Sequence, residues 1–157
     1  ELKSRSDSIY TKTQGVGSVL RPRLEEMSHI PSLWPVKGFI TSGFGHRPDP
    51  IEDGSDFHTG VDISAPFGSP VQAPAEGLVI FRGWQQGYGN CVEVSQGGGL
   101  VTRYAHLSKI FVKPGQKLKR WQRIALVGTS GRSTGSHLHY EVLRNGLPSD
   151  PRRYLIY

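Results

Sequence analysis

Glycine and proline divide this chain into short segments, and no other feature constrains its fold as strongly. The 157 residues include 20 glycines and 11 prolines, which lie between short apolar runs. Glycine supplies the positive φ angles of tight turns and proline removes a backbone donor, so neither suits the interior of a long helix. Short apolar runs bounded by such residues are typical of strands. The pattern predicts an all-β domain with one curved, mostly antiparallel sheet.

Turn residues at the ends of the apolar runs predict where the chain reverses. Three consecutive glycines, 97–99, separate two runs and are a strong hairpin signal. A second hairpin is predicted around Ala75-Glu76-Gly77, and a third at Asn145-Gly146. The predicted strand segments are 37–42, 90–94, 100–105, 124–127 and 137–143, and segment 71–81 is predicted to contain the second hairpin.

The first thirty residues differ from the rest in their patterning. They are polar, and their few apolar side chains recur at three- and four-residue steps, which weakly indicates a helix. Those apolar positions are Val16, Val19, Leu20, Leu24 and Met27. We therefore predict two units: a helical or extended N-terminal arm at 1–30, which would suit the end of a stalk, and a β domain at 31–157.

The charge balance limits the possible partners. The formal net charge is +6, and the basic residues are densest in 113–123 and at Arg152-Arg153. These groups do not alternate with aromatic residues as they do on an RNA-binding sheet, so nucleic acid is not predicted as a partner. Attraction to an anionic polymer such as a cell wall agrees better with the composition.

Membrane insertion is not predicted for this chain. No run approaches the roughly 18 apolar residues that a membrane-spanning helix needs. The sequence opens at Glu1 without a signal peptide, which is expected of a fragment or a mature form whose targeting segment has been removed.

Histidines are concentrated in two short motifs. His58 and Asp62 are four residues apart, and His137 and His139 are two apart. Side chains at these spacings share one face of a strand, so each pair is predicted to point one way, with apolar residues on the opposite face. Histidine and aspartate are ligands that zinc accepts, and three protein ligands leave a fourth position open for chemistry. The two motifs therefore predict one open zinc site built on a sheet.

Further motifs follow one another along about three quarters of the chain. In order, they are Ser42-Gly43-Phe44-Gly45 with Arg47, Phe57-His58-Thr59-Gly60-Val61-Asp62-Ile63 with Ala65-Pro66, Gly87-Tyr88-Gly89-Asn90, Tyr104-Ala105-His106-Leu107-Ser108, Pro114-Gly115-Gln116, Val127-Gly128 and Ser133-Thr134-Gly135 before His137-Leu138-His139-Tyr140-Glu141-Val142. With these motifs the chain resembles the lysostaphin-type, or LytM-like, zinc metalloendopeptidases.

The resemblance assigns roles to five residues. It implies that His58, Asp62 and His139 bind Zn²⁺ and that His106 and His137 are the catalytic pair. It also implies cleavage of peptide bonds in bacterial peptidoglycan, outside the cytoplasm, in the periplasm or cell envelope. A partner hydrolase or another envelope protein is a further expected partner.

The residue types support an acid–base role for the catalytic pair. Zinc lowers the pKa of bound water to about 7 and polarises a scissile carbonyl. One imidazole would then move a proton from water to the leaving amine, and the other would donate to the oxyanion. The sequence leaves open whether His106 or His137 is the base. Glu141 shares the strand face of His137 and His139, and either orients a ligand or forms an ordinary salt bridge.

Four other residues are predicted to contact substrate. Tyr104 lies two residues before His106 and would share its strand face. Asn90, Ser133 and Thr134 lie in turns beside the motifs, where turn chemistry is the alternative explanation.

Two alternative functions remain compatible with the sequence. A module of the same fold could instead regulate a partner hydrolase. A catalytically silent module should lack at least one of the five site residues, whereas a complete site could be self-blocked by an upstream arm such as residues 1–30. A sugar-transport phosphocarrier would use a histidine pair without needing Asp62. For a peptidase, the predicted bond is a stem-peptide cross-link first and a glycine bridge second.

Overall fold

The fold is built almost entirely from short strands. The computed structural model describes residues 23–25, 27–49 and 51–156, of which 23–25 and 27–28 are helical. The strands are β1 (Phe39–Ser42), β2 (Gly45–Pro48), β3 (Ser55–His58), β4 (Val61–Ser64), β5 (Pro70–Gln72), β6 (Gly77–Gln85), β7 (Gly89–Gly97), β8 (Leu100–Ala105), β9 (Leu107–Ile110), β10 (Lys117–Leu118), β11 (Arg123–Val127), β12 (His137–Arg144) and β13 (Leu147–Ser149), followed by a 3-10 helix at Pro151–Arg153. The predicted all-β class is confirmed.

The strands form three sheets in place of the single sheet that was expected. The largest has eight strands in the order β1-β4-β12-β8-β7-β6-β10, with β13 paired to β12. A second sheet has the order β5-β11-β9, and β2 and β3 form a separate two-stranded ribbon. All the pairings are antiparallel. The sequence pattern marks strands but not their partners, which is why the number of sheets was wrong.

Two of the three predicted hairpins are confirmed. Gly97 ends β7, Gly98-Gly99 connects it to β8, and Asn145-Gly146 connects β12 to β13. The hairpin within 71–81 is wrong, because β5 pairs with β11 and not with β6. Backbone bonds explain the difference: the Ala73 N–H donates to the Gln122 carbonyl, and the Ala73 carbonyl accepts from the Trp121 N–H. These bonds hold the chain after β5 against the 119–122 turn.

Strand β12 separates the core from a polar face. Leu138, Tyr140 and Val142 are fully buried in the hydrophobic core, while the alternate positions His137, His139 and Glu141 lie on the opposite face. Burial of each large apolar side chain contributes about 1.5–3 kcal/mol. The core thereby fixes the strand that carries half of the predicted site.

The N-terminal segment contacts the domain where the structure describes it. The Arg120 guanidinium donates to the carbonyls of Met27 and Ile30, and the Glu76 N–H donates to the Ser28 carbonyl. Residues 23–25 and 27–28 are helical, whereas Val16, Val19 and Leu20 of the predicted arm lie outside the described residues. Among the residues the structure describes, no helix is long and apolar enough to cross a bilayer.

Candidate metal centre and groove

Three side chains from three different strands meet at one point. The Nε2 atom of His58 lies 3.1 Å from the Oδ1 atom of Asp62 and 3.0 Å from the Nδ1 atom of His139. The same Nδ1 atom lies 2.9 Å from Asp62 Oδ1. Ligand atoms bound tetrahedrally to zinc at 2.0–2.1 Å lie about 3.3 Å apart, so a small adjustment around an ion would satisfy all three. The ligand set implied by the resemblance is therefore assembled.

The two residues of the first motif do not share one strand, which corrects the expectation. His58 ends β3 and Asp62 lies in β4, with a turn at Thr59-Gly60 between them. Gly60 lets this connection lie close against β12, because a Cβ atom there would lie 2.3 Å from the Tyr140 carbonyl oxygen. Asp62 is the direct cross-strand partner of His139, and this register brings the two motifs together.

Hydrogen bonds orient both imidazole ligands. The His58 Nδ1–H donates to the Gly43 carbonyl oxygen at 2.7 Å, and the His139 Nε2–H donates to Glu141 Oε1 at 2.9 Å. The remaining ring nitrogens therefore turn their lone pairs toward the Asp62 carboxylate. Three lone pairs that converge in this way repel one another unless a cation lies between them. The donor set fits a divalent metal ion.

The carboxylate at this point is strongly acidic. Burial opposes ionisation of Asp62, but hydrogen bonds with His139 and His58 outweigh burial and hold its pKa well below the usual range. Burial also disfavours a charged His139, yet its bonds with Asp62 and Glu141 outweigh that effect and raise its pKa. Metal binding would require unprotonated ring nitrogens facing Asp62, so protons and a metal ion would compete for this position.

Glu141 holds the His139 ring through a hydrogen bond to Nε2. Its side chain is fully buried, and Oε1 accepts hydrogen bonds from the Thr59 hydroxyl and, at 2.9 Å, from the Tyr88 hydroxyl. Oε2 accepts from Arg103 Nη1 at 2.7 Å. Burial opposes ionisation of Glu141, but the bond with His139 outweighs it and lowers the pKa. Glu141 is therefore a paired carboxylate that orients the candidate ligand His139 and also forms a salt bridge to Arg103.

Arg47 orients the other side of the cluster. Its Nη1 atom lies 3.2 Å from Asp62 Oδ2 and 2.6 Å from the Ser42 hydroxyl. The bond occupies the carboxylate oxygen that faces away from the two imidazoles, which leaves Oδ1 directed at the candidate metal position.

The two remaining histidines lie beside the cluster without joining it. The rings of His106 and His137 are 4.8 Å apart between centroids, and His137 Nε2 lies 3.6 Å from Asp62 Oδ1. Each ring is fixed through Nδ1, which donates to the Ser130 carbonyl at 2.7 Å in His106 and to the Gly135 carbonyl at 2.9 Å in His137. Both Nε2 atoms are left free of those bonds.

His106 has a constrained backbone and an unusual acidity. Its φ angle is 60°, in the left-handed region, and its N–H donates to the Tyr88 carbonyl at 2.8 Å. Burial lowers its pKa to about 4, which outweighs the bond to Ser130 that favours the charged ring. The imidazole is therefore neutral near neutral pH.

The five histidine and aspartate side chains line an open groove. The groove has a volume of about 820 Å³ and also contains Ser133 and Thr134, two of the predicted substrate contacts. Its other polar lining residues include Thr41, Ser42, Thr59, Ser64 and Ser136. Hydroxyl groups in the lining are suited to hydrogen bonds with an extended peptide.

Two predicted substrate contacts lie elsewhere. Tyr104 is fully buried, and its hydroxyl lies 2.9 Å from the Thr102 hydroxyl in the core, so the prediction for Tyr104 is wrong. The left-handed conformation of His106 ends strand alternation, and the two residues therefore face opposite sides. Asn90 is not among the groove residues; its side chain donates to the Leu107 carbonyl at 3.3 Å.

Sequence reasoning missed the position of Tyr88. It lines the groove, its ring faces His139 at 5.7 Å between centroids, and its hydroxyl reaches Glu141. The signal was present, since glycines at 87 and 89 flank the tyrosine and both have positive φ angles. Because positive φ angles on both sides interrupt the extended backbone, strand alternation does not predict the direction of the side chain between these glycines.

Comparison with known protein families gives a match over most of the β domain. Residues 56–151 match the model of Peptidase family M23, and this range contains all five metal-site and catalytic-pair residues.

Comparison with individual proteins agrees with that match. The peptidoglycan DD-endopeptidase ShyA of Vibrio cholerae is 44% identical over 110 residues, which cover 69% of this chain and 26% of that protein. A zinc-containing peptidase from Vibrio cholerae has a TM-score of 0.71 and 41% identity, covering 76% of this chain and 38% of that structure. The catalytic domain of lysostaphin from Staphylococcus simulans has a TM-score of 0.68 and 33% identity, covering 74% and 91%. The chain spans about a quarter of the length of the curated relatives it matches.

Proposed function

This chain belongs to peptidase family M23, and we propose that it is a zinc-dependent endopeptidase acting on the peptides of bacterial peptidoglycan. One observation carries the proposal. The donor atoms of His58, Asp62 and His139 lie within 3.1 Å of one another in a groove, with two further imidazoles beside them.

The donor set suits zinc better than a harder cation. Two imidazole nitrogens and one carboxylate oxygen are borderline ligands, whereas Mg²⁺ and Ca²⁺ favour oxygen ligands. When bound, zinc would polarise a scissile carbonyl and lower the pKa of water. The name of the similar zinc-containing peptidase from Vibrio cholerae supports the same metal.

His106 and His137 transfer the proton between the nucleophile and the leaving amine. Each ring donates from Nδ1 to a backbone carbonyl, which fixes its tautomer and leaves Nε2 as the atom that accepts a proton from the nucleophile. A ring that has gained this proton then donates it from Nε2 to the leaving amine or the oxyanion. The 4.8 Å separation of the rings allows both to act on one scissile peptide.

The proposed substrate follows from the relatives and the groove. ShyA is named a peptidoglycan DD-endopeptidase, which favours a cross-link between stem peptides over a glycine bridge. Peptidoglycan lies outside the cytoplasm, so we place the activity in the periplasm or cell envelope. We further propose that residues 31–157 form the catalytic domain and that 1–30 form a separate arm.

A digest of purified peptidoglycan tests the proposal. We expect new amino and carboxyl termini at stem-peptide cross-links by mass spectrometry, and no products after treatment with a chelator or in the His139→Ala variant. His46→Ala is the matched control, because His46 is exposed and does not line the groove. Absence of products from the metal-loaded protein, with full zinc content, would contradict the proposed activity.

A further inference from the structure

The net charge of the chain resides in one segment. Residues 109–123 contain six of the 19 Lys and Arg side chains and none of the 13 Asp and Glu side chains. The thirteen basic residues elsewhere are therefore balanced by thirteen acidic ones, and the formal charge of +6 belongs to this segment alone.

The segment runs along an edge of the molecule. It begins in β9, the edge strand of the three-stranded sheet, continues through β10, the edge strand of the large sheet, and ends at the first residue of β11. We name this segment, residues 109–123, the basic edge. Lys109, Lys113, Lys117, Lys119 and Arg123 are exposed on it.

The charges of the basic edge lack acidic partners. In the described ranges, none of its lysines or arginines takes part in a salt bridge. Several arginines elsewhere do form salt bridges, as Arg103 does with Glu93 and Glu141 and Arg132 does with Asp49. Arg120 is the exception within the edge, because it binds backbone carbonyls of the N-terminal segment. Five cations are left directed at solvent.

Aromatic side chains lie among these cations. The Phe111 ring is 42% exposed and is contacted by Lys109 at 5.3 Å and Arg123 at 5.1 Å. Trp121 is 58% exposed, with a φ angle of 70° that its N–H bond to the Ala73 carbonyl holds in place. Leu78, the cross-strand partner of Lys117, is 41% exposed. Apolar and cationic groups are thus presented together.

The basic edge is separate from the groove. None of its residues lines the groove, so a ligand bound to the edge leaves the candidate metal centre accessible.

We propose that the basic edge binds membrane surfaces rich in anionic, phosphate-bearing lipid headgroups. Unpaired lysines and arginine attract such a surface, and exposed aromatic rings insert at the boundary between headgroups and acyl chains. A soluble polyanion would use the charges but gain little from Phe111 and Trp121. The inference does not depend on peptidase activity.

Vesicle binding by the whole chain tests the inference. We compare co-sedimentation with phosphatidylcholine vesicles and with mixed phosphatidylcholine–phosphatidylglycerol vesicles at low ionic strength. The test variant replaces Lys109, Lys113 and Lys119 with glutamine. The control variant replaces three exposed cations elsewhere, Lys37, Arg144 and Arg153, with glutamine as well. It therefore has the same net charge as the test variant.

Binding only to the anionic vesicles, weakened by added salt, is expected. The edge variant should lower the partition coefficient by about a hundredfold, since each cation near such a surface is worth about fivefold. The control variant should change it much less. Equal losses in both variants, or equal binding to the neutral vesicles, would overturn the assignment to the basic edge.

Soluble polyphosphate distinguishes a lipid surface from a polyanion. Trp121→Ser should weaken binding to anionic vesicles and leave binding to polyphosphate unchanged. Two results together would refute the membrane assignment. Polyphosphate would bind as tightly as vesicles at equal phosphate concentration, and Trp121→Ser would leave vesicle binding unaffected. Zinc content and digestion of peptidoglycan report separately on the groove, so either proposal can fail alone.

Discussion

The Nε2 atom of His139 and the Oε1 atom of Glu141 lie 2.9 Å apart on the same face of β12. The spacing of two residues in a strand places them side by side, and full burial of Glu141 excludes water from the bond. The carboxylate also accepts from Thr59, Tyr88 and Arg103. The ring that presents Nδ1 to the candidate metal position is thereby held by hydrogen bonds on its opposite side, through Nε2.

Glu141→Gln should weaken metal binding without removing it. The amide keeps the shape of the side chain but loses the charge that fixes the His139 tautomer, and loss of such a partner lowers metal affinity by about 10–100-fold. Competition with a chromogenic chelator measures this affinity. Glu93→Gln is the control, because Glu93 contacts Arg103 but not His139. Equal affinity in the Glu141 variant and the wild type would show that the network has no influence on the ligand.

His58→Ala and His139→Ala should each lose bound zinc and activity together. Each removes one of three protein ligands, and two ligands hold zinc too weakly to survive dialysis. Metal analysis of the dialysed proteins checks the outcome, with His46→Ala expected to match the wild type. Stoichiometric zinc in either ligand variant would contradict the proposed ligand set.

His137→Ala should keep zinc and lose turnover. Its Nε2 atom lies 3.6 Å from Asp62 Oδ1, beside the cluster, so its removal leaves the three ligands in place. Loss of an acid–base group should reduce the rate constant by about 10²–10⁴-fold. The measurement pairs turnover on a soluble cross-linked peptide with zinc content. A near-normal rate would assign the proton transfer to His106 alone.

The metal-free protein should become less stable in acid partly through His106. Burial lowers its folded-state pKa to about 4, below the ordinary value of 6.5, so the unfolded chain binds the proton first as the pH falls. The stabilisation is complete above pH 6.5 and is lost as the pH falls toward 4. Denaturant unfolding at several pH values should show a shallower decline for His106→Asn, since asparagine tolerates the positive φ angle. Identical slopes would mean that this ring does not titrate as described.

Gly60→Ala should destabilise the domain far more than Gly135→Ala. A Cβ atom at position 60 would lie 2.3 Å from the Tyr140 carbonyl oxygen and 2.9 Å from Glu141 Cγ, whereas nothing lies within 4 Å of one at position 135. Forced contacts of this kind cost about 1–3 kcal/mol, so the free energy of unfolding should fall by that amount. Thermal and denaturant unfolding give the comparison. Equal stability of the two variants would show that the β4–β12 contact tolerates a side chain.

The side-chain directions in β12 were predicted correctly from the sequence, because side chains alternate between the two faces along a single extended strand. Alternation placed His137, His139 and Glu141 on one face and Leu138 and Tyr140 in the core, and the structure agrees. The same rule failed for Tyr104, because the left-handed His106 interrupts alternation directly after β8. It failed again for His58 and Asp62, which lie on two strands separated by a turn. Alternation holds only while the backbone stays extended.

The sequence by itself determined the strand-rich fold class, the family and the identity of the converging donors, since these depend on local spacing and on turn residues. Only the tertiary structure decided which strands pair, because partner choice depends on contacts between residues far apart in the chain. The meeting of His58 with His139 across 81 positions is one result. Another is the basic edge: the sequence contains its cations, but whether they find acidic partners depends on which side chains the fold brings to the same surface.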